Sequence, residues 1–425
     1  MKKIKFTLIF LVGALLGILS TQALSTIREQ LGWRISEVVA NVKYAIFPPE
    51  EVVFVPEGVV NSSAQLELLT PTTTSSDAVP ATVLTASAIS ASGMSPTQTF
   101  VPVPQKINLT GFQHEYQAWN NCGPATLSMA LSFWDWNGNQ RSIAEFTKPN
   151  PRDKNVMPYE LLSFVEEKTQ LQVITRVGGN NDLLKRFLAS GFPVIIEKGF
   201  ELPKDGCLGH YELVTGYDDA NERFTLQDSY FGPDQAMTYD ELDTNWRAFN
   251  FTFLVVYPKE RQEEIEAILG PHIDEEYNFR AAAEWASGEV YTLTGRDQFF
   301  AWFNRGTNLM RLQDYMGSAD AYDQAFELYP AIPEKQRPWR IMWYQTGPYW
   351  AYHYTGRYTD VINLATKTLD AMSEPVLEES YYWRSLARMA VGDNKGAIKD
   401  LEASLEYHPG FEPSLTQLEQ YKKTP

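Results

Sequence analysis

Chemistry in this chain starts from one cysteine. Residues 116–131 read YQAWNNCGPATLSMAL, which sets Cys122 between Asn-Asn and Gly-Pro at the head of an apolar run. Pro124 suits the first turn of a helix, where its missing N–H costs nothing. Leu127, Ala130, Leu131 and Trp134 follow at i, i+3, i+4 and i+7, the spacing of a helix face turned to a core. Cys122 is therefore expected at the amino end of a buried helix. There the helix dipole and unpaired N–H groups favour an anion and lower a thiol's pKa. A thiolate is the form in which cysteine acts as a nucleophile.

A nucleophile needs a base. His210 opens HYELVTGYD, which alternates like a strand, and RFTLQDSY follows after a turn at DDANE. A loop over residues 218–222 pairs Tyr217 with Arg223, Val214 with Leu226 and Glu212 with Asp228. Opposed residues share a face, so His210, Glu212, Val214, Phe224, Leu226 and Asp228 fall together. His210 and Asp228 become diagonal neighbours, roughly 7–8 Å apart at the backbone and within side-chain reach. A one-residue change of register would send Asp228 to the other face. The result is a base with an orienting carboxylate, the logic of a catalytic triad. Gln117 precedes Cys122 in the same segment. Its amide and the Cys122 backbone N–H would make an oxyanion hole.

Other readings stand beside these. Two cysteines in an exported protein often pair, and a Cys122–Cys207 disulfide would silence the nucleophile. His114, His272, His353 and His408 lack such company and are read as structural. Asp218 and Asp219 are read as turn residues. Asn120 and Asn121 are loop-formers or contributors to the oxyanion site, and Trp119 and Trp246 line a groove or fill a core.

Together YQAWNNCGPATLSMAL, GFPVIIEKG, GHYELVTGYD and LQDSY resemble the papain-like cysteine peptidases of the bacteriocin-leader-processing (double-glycine) type, in particular their free-standing bacterial branch. The resemblance covers about residues 105–258. It implies a helical half and a sheet half with the site between them. It also implies Cys122 as nucleophile, His210 as general base, Asp228 as orienter and Gln117 as oxyanion donor. Many papain-like enzymes place the glutamine one residue further from the cysteine than this chain does. Leader-processing members are usually fused to a transporter with an ATPase, and no GxxxxGK[ST] motif occurs here.

The supporting elements fit an α+β papain-like catalytic domain at 105–260. PYELLSFVEEKT and NDLLKRFLAS read as helices, the second closed by Gly191 as a C-cap. LQVITRV, PVIIEKG and FTFLVVYP read as strands rich in β-branched residues. After Pro258 the pattern turns helical. Residues 301–330, 343–372 and 380–409 align as a bulky helix, a turn and a second helix with small residues. Ser318, Val361 and Ala397 take one small-residue slot, Ala325, Thr368 and Ser404 a later one, and Pro330 and Pro409 close two copies. The pattern resembles tetratricopeptide repeats, whose unit is about 34 residues. Residues 261–425 are thus expected to form an all-α tetratricopeptide-like helical repeat domain that holds a protein partner, residues 260–298 adding helices that join the two domains.

At the other end, MKKIKFTLIFLVGALLGILSTQALS has the basic and apolar regions of a signal peptide or membrane anchor over residues 1–24. Residues 25–60 read as a membrane-proximal segment, with an amphipathic helix over 27–46 that is read as a short packing helix in preference to a stalk. Residues 61–104 are a Thr/Ser/Pro/Ala-rich linker with almost no charge, unable to bury a core. The net charge of −17 argues against nucleic acid. There is no CxxC or HExxH, and no cofactor or metal is expected. The expectation is an exported, cell-surface or extracellular cysteine peptidase acting on a peptide or protein, with a membrane tether as one option. A non-catalytic peptide-binding module and an acyl or amide transferase using the same residues are the alternatives.

Overall fold

The structure is a computed structural model that describes residues 54, 56, 103–150, 152–202, 206–372 and 374–423. The expected targeting segment, the stretch 27–46 and residues 61–102 lie outside the described residues, as does the side chain of Cys207. Among the described residues no helix is long and apolar enough to cross a membrane.

Seven strands form one sheet: β1 Lys106–Asn108, β2 Gln172–Arg176, β3 Val194–Leu202, β4 Gly206–Asp218, β5 Arg223–Asp228, β6 Gly232–Thr238 and β7 Phe253–Tyr257. The order is β2-β7-β3-β4-β5-β6, with every pairing antiparallel, and β1 continues the edge of β4 beyond the end of β3. The central strands are apolar on both faces, so both faces are covered. Ile195, Tyr211, Leu213 and Leu254 pack against α1 Cys122–Ser132, α2 Gln140–Thr147 and α3 Pro158–Lys168. Val194, Ile196 and Val214 face α4 Asn181–Ala189 and α5 Tyr239–Arg247. Gly191, at φ 77°, turns the chain out of α4 as expected of a C-cap.

The β4–β5 hairpin differs from the expected pairing near its turn. Asp218, not Tyr217, pairs with Arg223, and Tyr217 pairs with Phe224. The turn is shorter by one residue: a 3-10 segment at Asp219–Asn221 ends on Glu222 in the left-handed region at φ 49°. A bulge between Val214 and Gly216 then absorbs that residue, so Val214 pairs with Leu226 as the sequence implied. The bulged Thr215 is fully buried, and its Oγ1 accepts from Gln227 Nε2 at 3.0 Å.

Helices occupy the rest of the described chain: α6 Gln262–Leu269, α7 Glu275–Thr292, α8 Gly295–Arg311, α9 Tyr315–Leu328, α10 Gly347–Tyr354, α11 Tyr358–Asp370, α12 Glu378–Ala390, α13 Asn394–Tyr407 and α14 Glu412–Lys423. The pairs α8–α9, α10–α11 and α12–α13 are the three aligned copies. Ser318, Val361 and Ala397 are fully buried, where a small side chain lets paired helices approach. Asp314 and Asp393 cap α9 and α13 by accepting from Gly317 and Gly396 N–H. The middle copy has the short first helix, starting at Gly347-Pro348 after a 3-10 turn.

The helical region is seated on the sheet region. Asn278 of α7 exchanges both amide bonds with the backbone of Val177. Asn250 and Asn308 exchange side-chain amide bonds at 2.7 and 3.1 Å. Asn304 Nδ2 donates to Arg247 O, and Gln345 Nε2 to Ala248 O.

Candidate active site

Cys122 is the first residue of α1. The preceding Asn121 makes no side-chain cap and the first turn holds no acid, so its N–H groups stay available. Gly123 leaves room for Tyr211, whose ring lies 3.3 Å from where a Cβ would stand. Thr126 Oγ1 donates to Tyr211 O at 3.0 Å and fixes the helix against β4. The thiol thereby stands beside the His210 side chain and the Tyr211 and Gly123 backbone, which favour its ionised form. Cys122 is a free thiol.

His210 lies next along β4, its ring buried. Nε2 is 3.1 Å from Asp228 Oδ1 at the end of β5, which leaves Nδ1 for the thiol. The ring stacks on Phe200 of β3, centroids 4.6 Å apart. Asp228 Oδ1 also accepts from the N–H groups of Tyr230 at 2.6 Å and Phe231 at 3.1 Å. Cys122, His210 and Asp228 are thus brought together in one place.

The charges are set by these contacts. Burial opposes the His210 imidazolium, but the Asp228 charge and hydrogen bond, with Cys122, outweigh it and push the pKa up to about 10. Burial likewise opposes ionisation of Cys122, and the hydrogen bond and charge of His210 outweigh it and bring the thiol below its usual 9.0. Asp228 is buried too, yet His210 and the Tyr230 N–H hold its carboxyl far below the usual range. The arrangement favours a thiolate–imidazolium pair backed by a carboxylate.

Gln117 is tied to the segment after Asp228. Its backbone N–H donates to Ser229 O at 2.9 Å, and Ser229 Oγ donates to its Oε1 at 2.9 Å. With the amide oxygen engaged, the NH2 group is left as the donor.

The structure also gives roles to Gln140, Lys148, Lys198 and Ser229, which the sequence does not single out. Gln140 holds the loop before Cys122: its Oε1 accepts from Ala118 N and Asn121 Nδ2, and its Nε2 donates to Tyr116 O and Glu115. Lys148, buried, donates to Trp119 O and Asn120 O. Asn120 adopts φ 53° and donates to Asp153 O, and Asn121 is spent on Gln140, so both serve the loop. Behind His210, Lys198 and Glu212 form a buried ion pair at 3.1 Å. Ser229 alone had a visible signal, as the residue after Asp228 in LQDSY. Trp246 is a core residue, donating to Thr252 O.

Among the described residues, two groups place three ligand-type atoms within 4.8 Å of one another: His210, Glu212 and Asp228, and Asp153, Glu378 and His408. The first is engaged in the contacts above. In the second, His408 Nδ1 is already 2.6 Å from Glu378 Oε1.

Residues 100–253 match the Peptidase_C39 like family. They form a C39-like peptidase domain. The match spans Gln117, Cys122, His210 and Asp228 and makes the domain a papain-like cysteine peptidase. Among solved structures, the chain is similar to a C39-like peptidase from Bacillus anthracis, with 14% identity, TM-score 0.31, and 36% of this chain and 98% of that one covered. It is also similar to the peptidase domain of Streptococcus ComA, a bi-functional ABC transporter, with 14% identity, TM-score 0.29, and 35% and 99% covered. A third similar structure is the first TPR of Spaghetti (RPAP3) bound to an HSP90 peptide, with 18% identity, TM-score 0.24, and 29% and 90% covered. No curated protein matches the chain significantly.

Proposed function

We propose that the chain is an exported cysteine peptidase that hydrolyses peptide bonds through Cys122, His210, Asp228 and Gln117, its helical repeats holding a protein partner or substrate. The observation that carries this reading is a free Cys122 thiol beside a buried His210 that lowers its pKa and whose Nε2 is 3.1 Å from Asp228. The Cys122 thiolate attacks the scissile carbonyl carbon, and the carbonyl π electrons move to oxygen. Gln117 Nε2 and the Cys122 N–H donate to that oxyanion. His210 gives its proton to the departing amine as the C–N bond breaks, leaving a thioester. Water then attacks the thioester, His210 takes its proton, and the C–S bond breaks to release the acid and restore the pair. Export rests on the basic and apolar residues 1–24, and partner binding on the repeat pattern.

Iodoacetamide labelling across pH 5 to 9, read by peptide mass spectrometry, tests the reading. Cys122 labels fast well below pH 9, and Cys122→Ala abolishes hydrolysis of a fluorogenic peptide library with an unchanged circular dichroism spectrum. Hydrolysis that survives in Cys122→Ala refutes the mechanism.

A further inference from the structure

Lys198, His210, Glu212 and Asp228 are buried together where β3, β4 and β5 meet, each no more than 3% exposed. The register puts Lys198 directly opposite His210, and Glu212 follows two residues later on the same face of β4. Lys198 Nζ is 3.1 Å from Glu212 Oε1, and that same oxygen is 3.9 Å from His210 Nε2. Asp228 Oδ1 lies 3.1 Å from Nε2. His210 Nε2 therefore faces two carboxylates, of which Asp228 alone is in hydrogen-bond range. Lys198 also flanks the ring that stacks on His210: its Nζ is 5.5 Å from the Phe200 centroid.

A buried ion pair is a poor source of stability, because desolvating two charges offsets their attraction and apolar residues of similar volume do as well or better. The Lys198–Glu212 pair needs another explanation, and its place beside His210 supplies one. Nε2 carries one proton and makes one good hydrogen bond. A shift of Glu212 Oε1 by less than 1 Å would bring it as close to Nε2 as Asp228 is. Burial pushes the Glu212 carboxyl above its ordinary 4.5; Lys198 and His210 oppose that rise, and Asp228 adds to it. Without Lys198, Glu212 either keeps its charge and takes over the bond from Nε2, or gains a proton and donates it to Asp228. Both weaken the His210–Asp228 bond that holds the imidazole for Cys122.

We propose that Lys198 is a positioning residue: it holds the Glu212 carboxylate off the imidazole and so reserves His210 Nε2 for Asp228. The proposal rests on the reading of His210 as the partner of Cys122. Lys198 acts through Glu212 and not on the reacting atoms. Lysine suits the task, being a compact point charge on an apolar stem that can cross from β3 to its neighbour. The groups that set the state of the ring come from each element around it: Cys122 from α1, Lys198 from β3, Glu212 from β4 and Asp228 from β5.

The test is the iodoacetamide labelling rate of Cys122 in the folded full chain between pH 5 and 9, with the melting temperature taken in the same buffers. In Lys198→Met the pH at which labelling rises moves up, so the rate at pH 6 falls at least threefold while the rate at pH 9 stays within twofold. Lys198→Met with Glu212→Leu brings the profile back, since an apolar pair leaves nothing to compete with Asp228, and replacing both partners of a buried ion pair keeps the fold. Where Lys198→Met does not fold, Lys198→Gln, which keeps a donor to Glu212 without the charge, is read in its place. A lowered melting temperature with an unmoved labelling profile makes the pair structural only and overturns the proposal. A profile that Glu212→Leu does not restore overturns it as well. Labelling is read without turnover, which separates this proposal from the peptidase reading. A chain that labels fast and moves its profile in Lys198→Met, yet hydrolyses no peptide, refutes the peptidase and upholds the positioning of His210.

Discussion

Asp228 spends one carboxylate oxygen on three partners: His210 Nε2 and the N–H groups of Tyr230 and Phe231. The His210 charge and hydrogen bond, with the Tyr230 N–H, keep it ionised in a buried place, and an ionised Asp228 in turn keeps His210 protonated. Asp228→Asn retains an acceptor but removes the charge. The thiol should then move up toward its ordinary 9.0, and iodoacetamide labelling of Cys122 at pH 6 should fall at least tenfold. In the unsubstituted protein, activity should rise as pH passes the depressed thiol pKa and fall above about 10, where His210 loses its proton. The linked stability has the matching signs. The raised His210 contributes fully below pH 6.5, and that contribution is lost as pH rises through about 10; the depressed Asp228 contributes above its unfolded value and loses that as pH falls. Gln117→Ala should lower kcat by roughly 10²–10³ with little change in KM, the signature of a donor used in the transition state. Ser229→Ala should cause a smaller loss in the same parameter, because the Gln117 amide loses its orienting bond. The residues proposed to perform chemistry could be singled out in the chain because their types are rare and their flanks distinctive. Gln140, Lys148 and Lys198 were not, since each acts by a contact that only the tertiary fold creates.

At the level of elements, the β4–β5 hairpin shows what periodicity can and cannot convey. Alternation in HYELVTGYD and RFTLQDSY correctly put Val214 opposite Leu226, but it carried no mark of the bulge at Thr215. A shorter turn and a bulge cancel, so the register near His210 agrees while the register at the turn is off by one. The helix ends carry a second effect that the sequence does not announce. The start of α3 meets the start of α12 and the end of α13, gathering Glu160, Glu378, Glu379 and Asp153 around His408. Burial, then mutual repulsion, raises Glu160 and Glu379 well above the ordinary carboxyl range, and Glu378 and Asp153 are raised as well. A carboxyl raised in the fold stabilises fully below its unfolded pKa and progressively less as pH climbs toward its folded one. This junction should therefore weaken from acidic toward neutral pH. Glu160→Gln removes one charge and keeps the acceptor for Met157 N–H that caps α3. It should stabilise the protein by about 1–2 kcal/mol at pH 8 and by almost nothing near pH 4, read as the pH dependence of denaturant midpoints. A benefit independent of pH would assign the effect to packing instead of charge.

Across the whole molecule, the repeats are fitted to the peptidase more closely than a recruiting module needs. The Tyr344 ring lies 2.7 Å from where a Cβ on Gly209 would stand, next to His210 on β4, and packs edge-on against Phe249 at 5.7 Å. No repeat signature predicts this, because the contact comes from the irregular connection between copies and not from the repeated positions. The contact should make the two regions one cooperative unit, and the Asn250–Asn308 pair tests it. Both side chains are buried and each amide satisfies the other. Asn308→Ala strands the Asn250 amide without water, a loss of about 1–3 kcal/mol. Asn250 sits at φ 55°, so alanine there would add backbone strain, and Asn250→Gly removes the amide without it. The cycle of Asn308→Ala, Asn250→Gly and the double variant should show a favourable coupling of at least about 1 kcal/mol, because removing the second partner costs little once the first is gone. A single calorimetric transition that moves down as a whole in Asn308→Ala means the regions unfold together. Additive losses, or two transitions of which only the later-melting one moves, would mean that the repeats are a separate body resting on the peptidase.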